Sequence, residues 1–171
     1  MAAKTTYDLL DATGNIVTVP ITLTSLPSSA TAGWQSDVIT LIDGSNRVPP
    51  SIDIIATFAL TTGTLANDKS AYLYAARSFD ETTYEVGPPA VGASDAAFTF
   101  TNSPVGTSPL PTDLYLVGEV TFNGQSETRR RTFRMFAPPP KLALIVLNYS
   151  GIAFASSGSG IKIRKRWGAI V

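Results

Sequence analysis

The densest charge in the chain is the run Arg129-Arg130-Arg131-Thr132-Phe133-Arg134, and a second basic stretch follows at Lys162, Arg164, Lys165 and Arg166 beside Trp167. Arginine presents a flat fork of donors that matches a carboxylate across a protein interface, which makes partner binding the first chemistry to consider. The same charges on the outermost strand of a sheet would deter edge-to-edge aggregation, and contact with phosphate is a third use. Strand alternation places Arg130, Thr132 and Arg134 on one face, with Arg129, Arg131 and Phe133 on the other. In the second stretch Lys162, Arg164 and Arg166 point one way, opposite Ile161, Ile163 and Lys165. The residues expected to touch a partner are therefore Arg129, Arg130, Arg131, Arg134, Lys162, Arg164, Arg166 and Trp167. The apolar end, residues 167–171, is poorly placed in water and is expected to dock, on a neighbouring subunit in preference to the protein's own core.

Catalytic chemistry is hard to build from this composition. There is no histidine and no cysteine. The best proton-transfer side chain near neutral pH is missing, and so are Ser-His-Asp and Cys-His nucleophile systems, thiolate metal sites and disulfides. Two carboxylates could still serve a glycosidase. Asp80 with Glu81, Glu85, and Asp113 with Glu119 are the options, but adjacent strand residues face opposite ways and no aromatic cleft frames them. Asp43-Gly44-Ser45-Asn46 and Asn67-Asp68 could offer oxygen ligands to calcium, although the same spacing is common in plain turns. Tyr72, Tyr74 and Tyr84 could form a sugar-stacking platform, but strand tyrosines are more often half-buried core. No enzyme, metal or cofactor is expected.

Thirteen acidic residues balance thirteen basic ones, so whole-molecule charge gives no reason to expect nucleic-acid binding. Only 15% of the 171 residues are charged, against roughly a quarter in an average soluble domain. That is the surface of a protein that partners cover, or simply one rich in threonine. The first residues lack the apolar run of a signal peptide, and the longest apolar stretch, residues 142–147, is too short to span a bilayer. The chain is expected to be made in the cytosol, and to be soluble with no membrane partner.

The elements that must position these side chains read as β-strands. Glycine and proline punctuate nearly every window, leaving short runs of Val, Ile, Thr, Phe and Tyr. Strands are predicted over residues 15–23, 34–42, 51–60, 71–77, 82–86, 96–101, 113–122, 127–136, 142–148, 151–154 and 161–166. In residues 51–60, Ile52, Ile54, Ala56, Phe58 and Leu60 share a face against Asp53, Ile55, Thr57 and Ala59. Asn123-Gly124 is the strongest hairpin signal, since a type I′ turn needs positive φ at both central positions. Residues 142–148 read as a strand buried on both faces. The expectation is an all-β, single-domain antiparallel β-sandwich over residues 1–171. It would be jelly-roll-like, with about eight to ten short strands and residues 1–14 as an N-terminal arm.

Three stretches resemble small β-sandwich virion proteins of tailed bacteriophages. They are Trp34-Gln35-Ser36-Asp37; the run from Ala66-Asn67-Asp68-Lys69-Ser70 through Tyr72-Leu73-Tyr74-Ala75 to Thr83-Tyr84; and residues 111–118 followed by Pro138-Pro139-Pro140 and an apolar strand closed by Asn148 and Gly151. The basic segment ending in Trp167 departs from that pattern. The resemblance implies a non-enzymatic structural protein of the virion that binds the capsid lattice as a decoration, cement or minor head protein. Its partners would be the major capsid protein or other virion proteins, and it would form a homo-oligomer. The alternatives are a tail or connector protein of the same particle and a carbohydrate-binding, lectin-like module that holds glycans.

Overall fold

The computed structural model describes residues 16–66, 68–79, 94–100 and 114–167. Ten β-strands and no helix are found among the described residues: β1 (Ile16–Thr18), β2 (Ala32–Gln35), β3 (Ile39–Thr40), β4 (Ser51–Ala59), β5 (Ser70–Ser78), β6 (Ala96–Thr99), β7 (Tyr115–Thr121), β8 (Thr128–Phe136), β9 (Lys141–Tyr149) and β10 (Gly160–Arg166). They form a four-stranded sheet in the order β1-β10-β4-β8 and a six-stranded sheet in the order β6-β2-β9-β5-β7, with β3 also pairing β9. Every pairing is antiparallel. The all-β sandwich expected from the period-two pattern is what the chain builds.

The two sheets pack through their alternating apolar positions. Ile52, Ile54, Ala56 and Phe58 of β4 and Ile161 and Ile163 of β10 meet Leu73 and Ala75 of β5 and Leu142, Leu144 and Val146 of β9. On β9 the intervening residues Ala143, Ile145 and Leu147 are also buried, in a second cluster with Tyr74, Phe98 and Phe100 on the far side of the six-stranded sheet. The reading of residues 142–148 as buried on both faces holds for this reason. Strand β9 of the six-stranded sheet is thus apolar on both sides, while the outer face of the four-stranded sheet carries most of its basic residues.

Some expectations need correction. Asn123-Gly124 does not close a hairpin: β7 pairs with β5, and β8 pairs with β4 in the other sheet. The turn carries the chain between sheets. The Glu127 carboxylate accepts the backbone N–H of Asn123 at 2.8 Å and of Gly124 at 3.3 Å, and the positive φ falls at Ser126 (54°) instead. Across the gap the Phe133 ring lies over Gly118, where a Cβ would come within 2.2 Å of it. The strand predicted over 34–42 is split, because Ser36 leaves the ladder: its N–H donates to the Leu144 carbonyl (2.8 Å) and its Oγ accepts the Leu144 N–H (3.0 Å). The stretch 15–23 is a strand only as far as Thr18, and 151–154 contributes a single bridge, Phe154 to Leu60. The arm at 1–14, the strand at 82–86, Asp80, Glu81, Tyr84, Glu85, Asp113 and residues 168–171 lie outside the described residues.

Candidate protein-binding face

The outer face of the four-stranded sheet is organised around β4. Its outward residues are Ser51, Asp53, Ile55 and Thr57, since the alternate positions are in the core. On one side β8 sets Phe136, Arg134, Thr132 and Arg130 opposite these four in turn. On the other side β10 sets Arg166, Arg164, Lys162 and Gly160 opposite the same four. Two basic segments far apart in sequence are therefore joined into one surface by the strand between them. Beyond β10, β1 adds Thr18 and Ile16, paired with Lys162 and Arg164.

Asp53 is the acidic residue on this β4 face, and it is buried, with 3% of its surface exposed. Its Oδ1 accepts Arg134 Nε at 2.9 Å, while Oδ2 accepts Arg166 Nε at 2.5 Å and also its terminal nitrogen. Burial opposes ionisation of Asp53, but the Arg166 and Arg134 guanidiniums outweigh it and hold the carboxyl below its ordinary value. The same hydrogen bond raises the pKa of Arg166. Arg134 and Arg166 are thereby fixed in place as charged groups, each still partly open to solvent.

The other predicted partner residues divide. Arg130 and Lys162 are exposed on this face, and Arg164, half-buried, stands directly opposite Asp53. Arg129 and Arg131 do not join it: they stand opposite the core residues Phe58 and Ala56 and so project towards the other side of β8. Arg129 Nε lies 2.6 Å from Glu127 Oε1, while Arg131 is exposed at the sheet margin. β8 is the end strand of its sheet, so these charges also guard an edge as a strand-capping device would. Trp167 is half-buried, with the Arg47 guanidinium 5.6 Å from its ring centroid. Lys165 turns away from the face and donates to the Thr40 carbonyl at 3.3 Å; desolvation lowers its pKa although Asp43 opposes this.

The described residues of the alternative chemistries have partners within the chain. Tyr74 is fully buried, and Tyr72 is half-buried against it with its hydroxyl donating to the Asp68 carboxylate. Burial pushes the Tyr74 hydroxyl up to about 12. Asp43 does not hold open oxygens for calcium: Oδ1 accepts the N–H groups of Ser45 (2.8 Å) and Arg47 (2.9 Å), and Oδ2 accepts Arg47 Nε (2.9 Å). Glu119 accepts the hydroxyls of Ser70 at 2.7 Å and Thr121 at 2.8 Å. Among the described residues, no three acidic side chains are grouped to hold a metal ion.

The stretches that carried the resemblance serve as scaffold. Trp34 Nε1 donates to the Asp95 carboxylate, Asp37 Oδ1 accepts the Asp95 N–H at 2.6 Å, and Gln35 Nε2 donates to the Ser94 carbonyl at 3.1 Å. Asn148 is fully buried; its Nδ2 donates to the carbonyls of Leu26 (3.0 Å) and Ile152 (2.8 Å), and its Oδ1 accepts from Ser150. Gly151 follows with φ of 86°, and a Cβ there would come within 2.4 Å of the Ala66 nitrogen. Compared with known protein families and with curated proteins, the chain matches none.

Proposed function

We propose that the protein is a non-enzymatic structural component of a tailed-bacteriophage virion, which attaches to the capsid lattice through the outer face of its four-stranded sheet. The observation that carries this reading is the convergence of Arg130, Arg134, Lys162, Arg164 and Arg166 on one face around the single buried carboxylate of Asp53. A patch with that density of guanidinium groups, in a chain of no net charge, suits a complementary acidic protein surface.

The strand order supports a jelly-roll reading, an architecture shared by viral capsid and lectin domains. With β6 set aside and β2 and β3 counted as one strand, the first, eighth, third and sixth strands make one sheet. The second, seventh, fourth and fifth make the other. Fold alone does not name a function, so the basic face bears the weight. Electron cryo-microscopy of particles purified from the lysate in which the chain is made tests the proposal. Copies of the sandwich at symmetric lattice positions, with the β4 outer face turned inward, are expected. A chain that stays in the soluble fraction contradicts it.

A further inference from the structure

Part of the basic face is a depression of about 380 Å³. Its floor is Ile55, buried although it lies outside the core, and its walls include Arg130 of β8 and Lys162 of β10. Neighbouring strands lie roughly 4.8 Å apart. The strands bearing the two cations flank β4, so they are separated by about 10 Å, a gap that two long side chains can close around one oxyanion. Arg134 and Arg166 are engaged by Asp53; Arg130 and Lys162 have no carboxylate partner among the described residues.

The remaining lining, besides Gly158 and Ile161, carries donors. Thr18 and Thr57 contribute hydroxyls. Ser159 Oγ accepts the Ala59 N–H at 2.9 Å, which leaves its own proton to donate. Nothing lies within 4 Å of where a Cβ of Gly160 would be, so backbone faces the opening there. Two cations and three hydroxyls around an apolar floor match a carboxylate carried on a short apolar stem, and a bare phosphate chain would leave the Ile55 floor unused.

We infer that this depression receives an aspartate or glutamate side chain of the partner protein, clamped between Arg130 and Lys162. The inference rests on the outer face being the binding surface, and it names the chemistry of what binds. A nucleic acid is disfavoured because the depression offers two cations, Arg130 and Lys162, which make a two-point grip and not a track of phosphate contacts, and the chain has no net charge to attract a polyanion.

The test is a titration of the full isotope-labelled chain, followed by amide NMR, with an acetylated hexapeptide of alternating glutamate and glycine. The glutamine version and a single-stranded DNA hexamer are run alongside. The glutamate peptide should shift the amides of Ser159, Gly160 and Lys162 in a saturable manner, and the glutamine peptide should leave them in place. The Arg130→Ala/Lys162→Ala variant, both sites being exposed, should melt as the parent does and bind the glutamate peptide about tenfold more weakly or worse. Equal shifts with the glutamine peptide, undiminished binding by the double variant, or tighter binding of the DNA hexamer at the same amides would overturn the inference. Particle attachment separates the two readings. If the parent and the double variant attach equally well, the clamp fails and the structural role stands. If the parent does not attach but binds the glutamate peptide, the clamp stands and the role fails.

Discussion

Asp53 and Arg134 stand directly opposite each other in the β4–β8 ladder, and Arg134 Nε donates to Asp53 Oδ1 at 2.9 Å. From the other flank Arg166 of β10 reaches the second oxygen of the same carboxylate. One buried acid therefore ties both neighbours of β4 to it and sets the heading of two cations on the basic face. Surface ion pairs contribute little when both partners are solvated, but here the shared carboxylate is out of water.

Replacing Asp53 with alanine leaves Arg134 and Arg166 without their common counter-charge. Removing one partner of a fully buried pair costs about 3–5 kcal/mol. Both guanidiniums are partly exposed and can turn to solvent, so the expected loss is smaller, about 1–3 kcal/mol. Urea unfolding of parent and variant measures it. An unchanged midpoint contradicts the clamp.

The pH dependence follows from the lowered pKa of Asp53 in the folded chain. A carboxyl held lower when folded than when unfolded contributes stability in full above its ordinary value of 3.8, and loses it as the pH falls towards the folded value. The stability gap between the parent and Asp53→Asn should be constant near neutral pH and close below about pH 4. Calorimetric melts across that window are the check. A gap that widens in acid would reverse the assignment.

Gly118 is required by the approach of the two sheets. Alanine there would place its Cβ 2.2 Å from Phe133 Cε1 and 2.5 Å from Cδ1. Overpacking of this kind costs roughly 1–3 kcal/mol. Gly118→Ala should lower the melting temperature, and adding Phe133→Leu, which withdraws the ring, should recover part of the loss. An additive double variant would mean the two residues are not in contact.

Much of this fold was legible because strand side chains alternate with period two. That pattern placed Ile52, Ile54, Ala56 and Phe58 together in the core, and Arg130 with Arg134 on the opposite face of their strand. The turn at Asn123-Gly124 misled for a local reason: turn chemistry says that the chain reverses but not which partner each strand finds. The two strands pair in different sheets, and Phe122 and Phe133 both pack into the core between them. The union of the two basic segments was out of reach, because it depends on β4 lying between β8 and β10. A signal for the clamp was present in Asp53, an acid set inside the apolar run Ile52-Asp53-Ile54-Ile55. A charge in such a place needs a partner, and the nearby excess of arginine supplies two.

Asn148 closes the turn after β9 from inside the protein. Substitution by leucine would take the amide away from the Leu26 and Ile152 carbonyls, which keep the Phe154 N–H and the Ser150 hydroxyl, and would leave the Ser150 N–H without its acceptor. One unsatisfied buried group costs about 1–3 kcal/mol, so a loss of that order is expected in chemical denaturation. Asn148→Asp should be at least as damaging, because a carboxylate cannot donate to those carbonyls. Near-parent stability of either variant would show that the side chain is dispensable.

The claim that the outer face of β4 is the attachment surface is tested most directly by the amine-labelling rate of Lys162, compared with that of Lys69, on free and on particle-bound protein. Lys162 lies on the basic face and Lys69 at the exposed turn before β5. Labelling of Lys162 is predicted to fall several-fold on attachment while Lys69 is unchanged. Equal protection of both, or protection of Lys69 alone, would contradict the account.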